Sequence, residues 1–383
     1  MAMWRVWDTA SRTIRWSVFF FAEVTTTRRD VDDLLTVMLC DDNSQSESSS
    51  DEDDLDFLLL STLFPEPKQV MRRLNLADLT ESQCETMFRF QKDDMELLLK
   101  ALEIPAMYIC SQRTVATGME ALMILLRRLV YPNRWCDLVD VFGRSNSELS
   151  LIFSKIIDDL YDRFRHVLES LDLVWLHPEA FSEAIHAKGA PLTQCWGFID
   201  GTARPICRSI RNQRIMYSGH KRIHCLKFQS VHAPNGLIAH LFGPIEGRRH
   251  DAFMLGESGL TNKLERFQKP NGEPYVIYGD PAYGVTRNIL APFRGAHLTD
   301  DQQAFNSQMS KVRSSVEWGF GKIIQYFSYL DFNKNLKVLL QPVAKFYLVG
   351  ALLTNCHTCL YGSLTSTYFN VDPPSLNVYL SNQ

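Results

Sequence analysis

The stretch QCWGFIDG at residues 194–201 marks the point where the chain changes from helical to strand-like patterning. Before it, over residues 74–171, apolar side chains recur with the helical period of about 3.6 residues. Residues 195–199 are instead an unbroken apolar run, and we predict a buried strand that ends at Asp200. Because further strands and then helices follow, the sequence predicts an α/β or α+β unit of catalytic size.

Turn signals downstream support this division into strands and helices. Two β-rich runs, 225–232 and 237–242, are separated by Pro-Asn-Gly at 234–236. Residues 275–278 form a short apolar strand before Gly-Asp-Pro. The pattern then returns to helical spacing, and the predicted late helices are 306–330 and 343–353.

The region upstream of the strands is predicted to be all-helical. Thr80 with Gln83, and Ser145 with Glu148, have the spacing of capping boxes at helix starts. Three helical segments are arranged as in a helix-turn-helix, namely 120–130, 135–142 and 147–164. The last of them carries four acids against two bases, so a helical scaffold is favoured over a reader of DNA bases, which stays the alternative.

The net charge of −4 is an average over two unlike regions. Residues 41–56 contain eight acids and no base, and we predict a disordered acidic linker there. These eight acids contribute −8 to the net charge of −4. The rest of the chain therefore carries +4 and is mildly basic. The acidic sum therefore does not exclude a nucleic-acid-binding protein.

Other protein classes are excluded by composition. No run of about 18 uninterrupted apolar residues exists, so no membrane span is predicted. Nine scattered cysteines, an odd number, favour a reducing compartment such as cytosol or nucleus over a disulfide framework.

Three acids stand at positions where a sheet binds ligands. Asp200 and Asp280 each follow a predicted strand, and Glu317 lies in a predicted helix, with spacings of 80 and 37 residues. Hard cations such as Mg²⁺ prefer carboxylate oxygens, and a pair of such ions serves phosphodiester chemistry. Each acid has a plainer interpretation: Asp-Gly and Asp-Pro are turn signals, and a helical Glu is commonly solvated.

A basic run lies beside Asp200. Between positions 204 and 222 there are six bases and no acid: Arg204, Arg208, Arg211, Arg214, Lys221 and Arg222. Such a run suits a polyanionic phosphate backbone, and Tyr217 adds a stacking surface; a solvated basic loop is the alternative. In the late helix, Gly319 and Gly321 predict a close approach to another structure, such as the sheet or a DNA backbone. Arg313 lies one turn before Glu317 and could orient it.

Five segments, in this order and spacing, resemble the DDE nuclease domain of PIF/Harbinger-type transposases and their domesticated relatives. They are GFIDGT at 197–202, YSGHKR at 217–222, GRRHD at 247–251, GDPAY at 279–283 and VEWGFGK at 316–322. The resemblance covers about residues 195–359, and the helical region around 125–151 also looks similar to the family.

The resemblance implies an RNase H-like fold in which Asp200, Asp280 and Glu317 bind two Mg²⁺ or Mn²⁺ ions. Its first acid ends a central strand, its second follows a neighbouring strand, and its third comes from a packed helix. The DNA-binding set expected beside the metals is Arg204, Arg208, Arg211, Lys221, Arg222 and Lys322. The family motif His250-Asp251 has an unassigned supporting role, in which Asp251 caps its helix or supports the site. Asp251 is also the rival for the second carboxylate.

The implied function is cleavage of DNA at transposon ends and joining of those ends to target DNA. The alternative is a domesticated, non-cleaving nuclear factor that binds DNA or protein. Expected partners are DNA, a Myb/SANT-like DNA-binding protein and a second copy of the chain, with no membrane. The expected location is the nucleus, or the cytoplasm until a partner brings the protein in.

These observations predict four regions along the chain. A poorly ordered N-terminal region with the acidic linker covers 1–65, and a helical, helix-turn-helix-like domain covers 66–180. An RNase H-like nuclease domain covers 181–362, and a C-terminal tail covers 363–383.

Overall fold

A computed structural model describes residues 72–209, 211–338 and 340–381, and the backbone of two N-terminal strands. These strands, β1 (Met3–Trp7) and β2 (Ile14–Val18), pair antiparallel within a unit that covers Met1–Val70. A hairpin therefore occurs in the region predicted to be poorly ordered. The predicted acidic linker at 41–56 lies outside the described residues.

One compact unit, Met71–Gln383, contains both the helical region and the sheet. The predicted boundary at 180 thus does not separate two compact units. The helices of the first half are Glu81–Phe88, Lys92–Ala101, Gly118–Val130, Cys136–Phe142, Asn146–Glu169 and Pro178–Ala187. Both predicted capping boxes are confirmed, and the helix Cys136–Phe142 ends at Gly143 in the left-handed conformation.

The expectation of an all-helical first half is wrong at one place. Strands β3 (Met107–Ile109) and β4 (Val115–Thr117) form an antiparallel hairpin between two helices. Tyr108 and Ala116 are buried while their strand neighbours are exposed. Three-residue strands are too short to give a periodic signal, so the sequence did not reveal them.

A buried ion pair joins three elements of this half. Arg144 Nε and Nη2 donate to the Glu120 carboxylate at 2.5 and 2.8 Å, and Nη2 also donates to the Val115 carbonyl at 2.7 Å. The two side chains are 1% and 9% exposed. Arg144 Nη1 also donates to Glu148 Oε1 at 3.2 Å. Removal of Arg144 would leave the Glu120 charge buried without its partner, and removal of Glu120 would leave Arg144 with Glu148 alone, so the pair fixes how these elements meet.

The second half is built on a six-stranded mixed sheet, in the order β10-β9-β5-β7-β6 with β8 paired to β7. Its strands are β5 (Cys195–Pro205), β6 (Tyr217–Ser218), β7 (Ile223–His232), β8 (Ile238–Glu246), β9 (Val276–Gly279) and β10 (Ile289–Leu290). Strands β5, β9 and β10 are parallel, whereas β5, β7 and β8 are antiparallel. The predicted mixture of sheet and helices is confirmed.

Strand β5 is longer than predicted, because it does not end at Asp200 but continues to Pro205. Its antiparallel partner β7 accompanies it along this whole length, with Asp200 opposite Ser230. Only the parallel pairing with β9 stops early, at Ile199 opposite Gly279. Asp200-Gly201 is therefore strand and not a turn, which removes the plainer interpretation of that pair.

Helices cover the sheet and complete the unit. The single helix predicted at 306–330 is two, Asp300–Arg313 and Ser315–Tyr326, which meet at Ser314. Other helices are Gln213–Met216, Asp251–Ser258, Leu260–Leu264, Val343–Tyr361, Leu364–Phe369 and Leu376–Leu380. The predicted C-terminal tail thus holds two short helices, and it buries Phe369 and Tyr379. Within the described ranges, no helix is long and apolar enough to cross a membrane.

Arg128 connects the two halves of the unit. This buried guanidinium lies between two aromatic rings, 4.3 Å from the Trp135 centroid and 4.4 Å from that of Tyr329. Trp135 precedes a helix of the first half, and Tyr329 lies in the turn Ser328–Asp331 that follows the helix Ser315–Tyr326. The cation therefore holds elements from both halves in one contact.

Candidate functional site

Asp200 and Asp280 meet at the end of the parallel part of the sheet. Ile199 of β5 and Gly279 of β9 are paired in register, so the next residue of each strand is one of these acids. Their charges are close enough for Asp280 to raise the pKa of Asp200. The two carboxylates that lie 80 positions apart in sequence are thus brought together by parallel pairing.

Asp200 forms an ion pair with Arg313, an arginine that the sequence spacing had suggested would orient Glu317. Arg313 Nη2 donates to Asp200 Oδ1 at 3.1 Å, and both side chains are about three-quarters buried. Burial raises the pKa of Asp200, the nearby Arg313 opposes that shift, and the like charge of Asp280 adds to it. Sequence spacing suggested that Arg313 orients Glu317; the structure instead shows it on Asp200.

Asp280 both ends a strand and begins a turn. Its Oδ1 accepts the Ala282 backbone N–H at 2.7 Å, which caps the short helical turn Pro281–Tyr283. The turn interpretation of Asp-Pro is therefore correct, but it does not remove the acid from the site. A cap of this kind fixes the carboxylate beside Asp200.

Asp251 and Tyr283 lie against the same point of β5. A Cβ added to Gly201 would lie 3.0 Å from the Tyr283 hydroxyl and 3.3 Å from Asp251 Oδ1. Lys227 Nζ donates to Asp251 Oδ1 at 3.3 Å and to the Arg249 carbonyl at 2.8 Å. Asp251 is the first residue of its helix, which has no side-chain cap from His250. Of the two roles open to Asp251, the contacts match support of the site.

Tyr283 is a buried polar group in this cluster. Tyr283 is 4% exposed, and its hydroxyl has no hydrogen-bond partner among the described residues. Burial raises the pKa of Tyr283, as do the neighbouring charges of Asp251, Asp200 and Asp280. A buried hydroxyl without a partner beside carboxylates is a place where ordered water or a hydrated ion fits.

The helix that carries Glu317, Ser315–Tyr326, lies directly against the sheet. A Cβ on Gly319 would approach His232 Nδ1 to 2.5 Å, and His232 is paired with Phe198, two residues before Asp200. The predicted close approach is thus confirmed at Gly319. Gly321 has open space around its Cβ position and does not share this role. The structure describes the backbone of Glu317, which lies in the first turn of this helix.

The donor set suits a hard divalent cation. Asp200 and Asp280 present oxygen ligands at one edge of the sheet, and Tyr283 lacks a partner there. Among the described side chains, which exclude that of Glu317, no three His, Cys, Asp or Glu groups converge to hold a metal ion. From the sequence, Glu317 is expected to supply a further carboxylate.

The predicted DNA-binding residues do not form one surface. Arg208, Arg211, Lys221 and Arg222 are exposed around the β6–β7 hairpin, together with Tyr217. Arg204 instead turns inward, where Nη2 donates to Thr202 Oγ1 at 2.5 Å and its Cζ lies 5.5 Å from the Tyr347 ring. Arg204 lies within β5, opposite Leu226 of β7, whereas the four exposed bases lie outside that strand.

Lys322 also lies away from the exposed bases. Its Nζ donates to Thr358 Oγ1 at 3.0 Å and to the Gly362 carbonyl at 2.9 Å. Burial lowers the pKa of Lys322 to about 8. These contacts tie the helix Ser315–Tyr326 to the end of the helix Val343–Tyr361, and they do not match the expected contact with phosphate.

Comparison with known proteins identifies one segment. Residues 199–355 match the family model described as DDE superfamily endonuclease. The matched range begins one residue before Asp200 and includes Asp280, Asp251 and Glu317. No curated protein and no solved structure matches the chain. The match covers the sheet and the candidate site, and it indicates a nuclease or transposase domain.

Proposed function

We propose that the protein is a Mg²⁺- or Mn²⁺-dependent DNA endonuclease and transposase of the Harbinger type. The observation that carries this proposal is the meeting of Asp200 and Asp280 at adjacent parallel strand ends. The meeting point lies inside the segment that matches the DDE superfamily endonuclease model. Carboxylates so placed are suited to hard cations, and DNA is the substrate of that superfamily.

Three residues would hold the metal ions: Asp200, Asp280 and Glu317. Bound in a pair, such ions activate an attacking oxygen and stabilise the leaving oxygen of a phosphodiester. Arg313 positions the Asp200 carboxylate, and Lys227 positions that of Asp251 beside Gly201. Tyr283 offers a hydroxyl to water at the same point.

The exposed bases around the β6–β7 hairpin would hold DNA. Arg208, Arg211, Lys221 and Arg222 contact phosphates, which sets position and not sequence. Cleavage at the ends of an element would be followed by joining of the free 3′ end to target DNA. Sequence recognition would then come from a Myb/SANT-like partner that also accompanies the protein to the nucleus, and two copies of the chain would bring two DNA ends together.

The test is nicking of supercoiled plasmid DNA by the full chain in Mg²⁺. We expect Asp200→Asn, Asp280→Asn and Glu317→Gln each to reduce the nicking rate by more than the roughly 10–100-fold that loss of an outer-shell partner of a metal ligand costs. Glu257→Gln, an exposed acid on the helix Asp251–Ser258, is the matched control and should keep the wild-type rate. Nicking by Asp200→Asn at the wild-type rate would show that the assignment is wrong.

A second candidate is a non-cleaving DNA-binding factor on the same fold. The Arg313–Asp200 ion pair favours it, because a fixed guanidinium already neutralises one of the acids. For this candidate, DNA binding would be unchanged by EDTA and no nicking would occur in Mg²⁺ or Mn²⁺. Metal-dependent nicking that disappears with Asp280→Asn excludes it.

A further inference from the structure

An apolar groove of about 500 Å³ opens directly beside Asp280. The next residue, Pro281, forms part of its wall, with Gly284 and Val285 from the following loop. The opposite wall comes from Leu192, Phe293 and Phe305. Neither the metal ligands nor the exposed bases of the hairpin contribute to this groove, so the proposed cleavage chemistry gives no account of it.

Two apolar side chains of the groove are open to solvent. Val285 is 69% exposed and Phe293 is 46% exposed. Large apolar groups exposed side by side in a concave surface are typical of a binding site. An aromatic ring at such a place offers a flat face to a planar ligand.

Phe293 is fixed in position, as a binding platform requires. Asn306 Oδ1 accepts the Phe293 N–H at 2.9 Å, and Asn306 Nδ2 donates to the Phe293 carbonyl at 3.1 Å. The Phe293 ring contacts Phe305 edge-on at 5.2 Å, and Phe305 contacts Tyr278 at 6.3 Å. Tyr278 lies in β9 and Asp280 immediately follows the end of that strand, so the platform and the acid are both attached to β9.

The charge around the groove complements a polyanion. Residues 281–298 contain Arg287 and Arg294, both exposed, and no acid. Arg294 lines the groove itself. Asp280, immediately before this segment, belongs to the proposed metal site, and the next acids downstream, Asp300 and Asp301, begin the following helix. An apolar, aromatic-walled groove with an arginine in its lining has the composition of a site that binds a base and its phosphate.

We propose that this groove receives a nucleobase unstacked from the DNA beside the cleaved phosphate, with the base on Phe293 and Arg294 on the adjoining phosphate. The proposal rests on the proposed function, because it places the same DNA strand at Asp280. Stacking on an aromatic ring is indifferent to base identity, so the groove would fix the strand without reading its sequence. Unstacking costs free energy in a duplex and little in DNA already unpaired.

The test uses the full chain with Ca²⁺ in place of Mg²⁺ and two DNA probes of the same sequence. One is a blunt duplex, and the other is a fork whose unpaired arm contains 2-aminopurine. We expect tighter binding of the fork than of the duplex, with quenching of the 2-aminopurine fluorescence on binding. Phe293→Ala should weaken fork binding on the order of tenfold, as for loss of one base–aromatic stack, and abolish the quenching.

Two variants serve as controls. Phe293→Trp retains a stacking face and should restore both binding and quenching. Phe332→Ala removes an exposed aromatic ring outside the groove and should change neither. Unchanged quenching with Phe293→Ala would overturn the proposal, and so would equal affinity for fork and duplex together with absence of quenching. Either result would show that the groove does not receive a nucleobase.

The outcomes separate this proposal from the proposed function. Nicking that depends on Asp200 but is indifferent to Phe293→Ala on both duplex and forked DNA overturns the base site and leaves the nuclease assignment intact. Quenching that depends on Phe293 in a protein that does not nick DNA supports the base site and overturns cleavage. Absence of any DNA binding by the wild-type chain overturns both.

Discussion

Asp200 is stabilised by one contact and destabilised by its surroundings. Arg313 donates to its carboxylate, while burial and the charge of Asp280 disfavour ionisation. The balance raises the pKa of Asp200, so its ionised form is less stable in the folded protein than in the unfolded chain. A residue retained at such a position serves a purpose other than stability.

We expect Asp200→Asn to stabilise the metal-free protein at neutral pH. Because the folded pKa is raised, the contribution of this carboxyl group to stability is fully present below the unfolded pKa of about 3.9 and is lost as pH rises through the folded value. The amide keeps an acceptor for Arg313 but has no charge, so the variant avoids this loss. Urea unfolding in EDTA at several pH values measures it, and a variant less stable than wild type at pH 7 contradicts it.

Arg313→Met should shift the pH profile of nicking. The guanidinium lowers the pKa of Asp200, so its removal raises that pKa further. The acidic limb of the nicking rate would therefore move to higher pH, with less change on the alkaline side. Arg313→Lys keeps the charge and should keep the limb near its wild-type position. An unshifted limb in Arg313→Met would show that Asp200 does not control it.

At the scale of elements, the helix Ser315–Tyr326 illustrates how much the sequence could predict. Its glycines indicate a close approach, which is confirmed against the sheet for Gly319, whereas Gly321 has open space around its Cβ position. The sequence shows which residues are small, but only the packed structure shows which of them faces His232. The contacts of Lys322 could not be predicted for the same reason, because its hydrogen-bond partners Thr358 and Gly362 come from a distant part of the chain.

Local signals were the most reliable. Capping boxes, the left-handed Gly143 and the turn at 234–236 depend on residues near one another in sequence, and the structure has them all. The sequence predicts that β5 ends at Asp200, whereas the strand continues to Pro205. Its length depends on pairing with β7, a partner whose register the sequence does not reveal. Acids at strand ends could still be predicted, because the carboxyl ends of parallel strands lie together.

Gly319→Ala and Gly321→Ala should have opposite effects on stability. Alanine at 319 places a Cβ 2.5 Å from the buried His232 ring, which is held by Ser230, and we expect a loss of about 1–3 kcal/mol. Alanine at 321 meets open space, and its better helix propensity should add about 0.5–1 kcal/mol. Chemical denaturation of both variants tests this, and equal effects would contradict the packing of this helix.

At the scale of the whole molecule, the helical half and the sheet belong to one compact unit. The Arg144–Glu120 pair lies wholly in the helical half, whereas Arg128 contacts Trp135 and Tyr329 across the two halves. A unit joined in this way should unfold as one.

Glu120→Gln should therefore destabilise the sheet as well as the helices. The variant leaves the buried Arg144 charge with Glu148 as its remaining carboxylate, so we expect a loss of stability below the roughly 3–5 kcal/mol of a fully unpaired buried charge. Amide hydrogen exchange under conditions of global opening should accelerate equally in Gly118–Val130 and in β5 and β7. Asp78→Asn, which breaks the exposed pair with Arg72, is the control and should change stability by less than about 1 kcal/mol. Acceleration confined to the helical half would indicate two independent units.

The placement of Arg128 also has a consequence for communication within the molecule. Its two rings belong to a helix start in the first half and to the turn that ends the Glu317-bearing helix. A ligand that engages the first half and displaces Trp135 would alter the support of that turn. By thermodynamic reciprocity, occupancy of the site near Glu317 would then change the affinity of the first half for the same ligand.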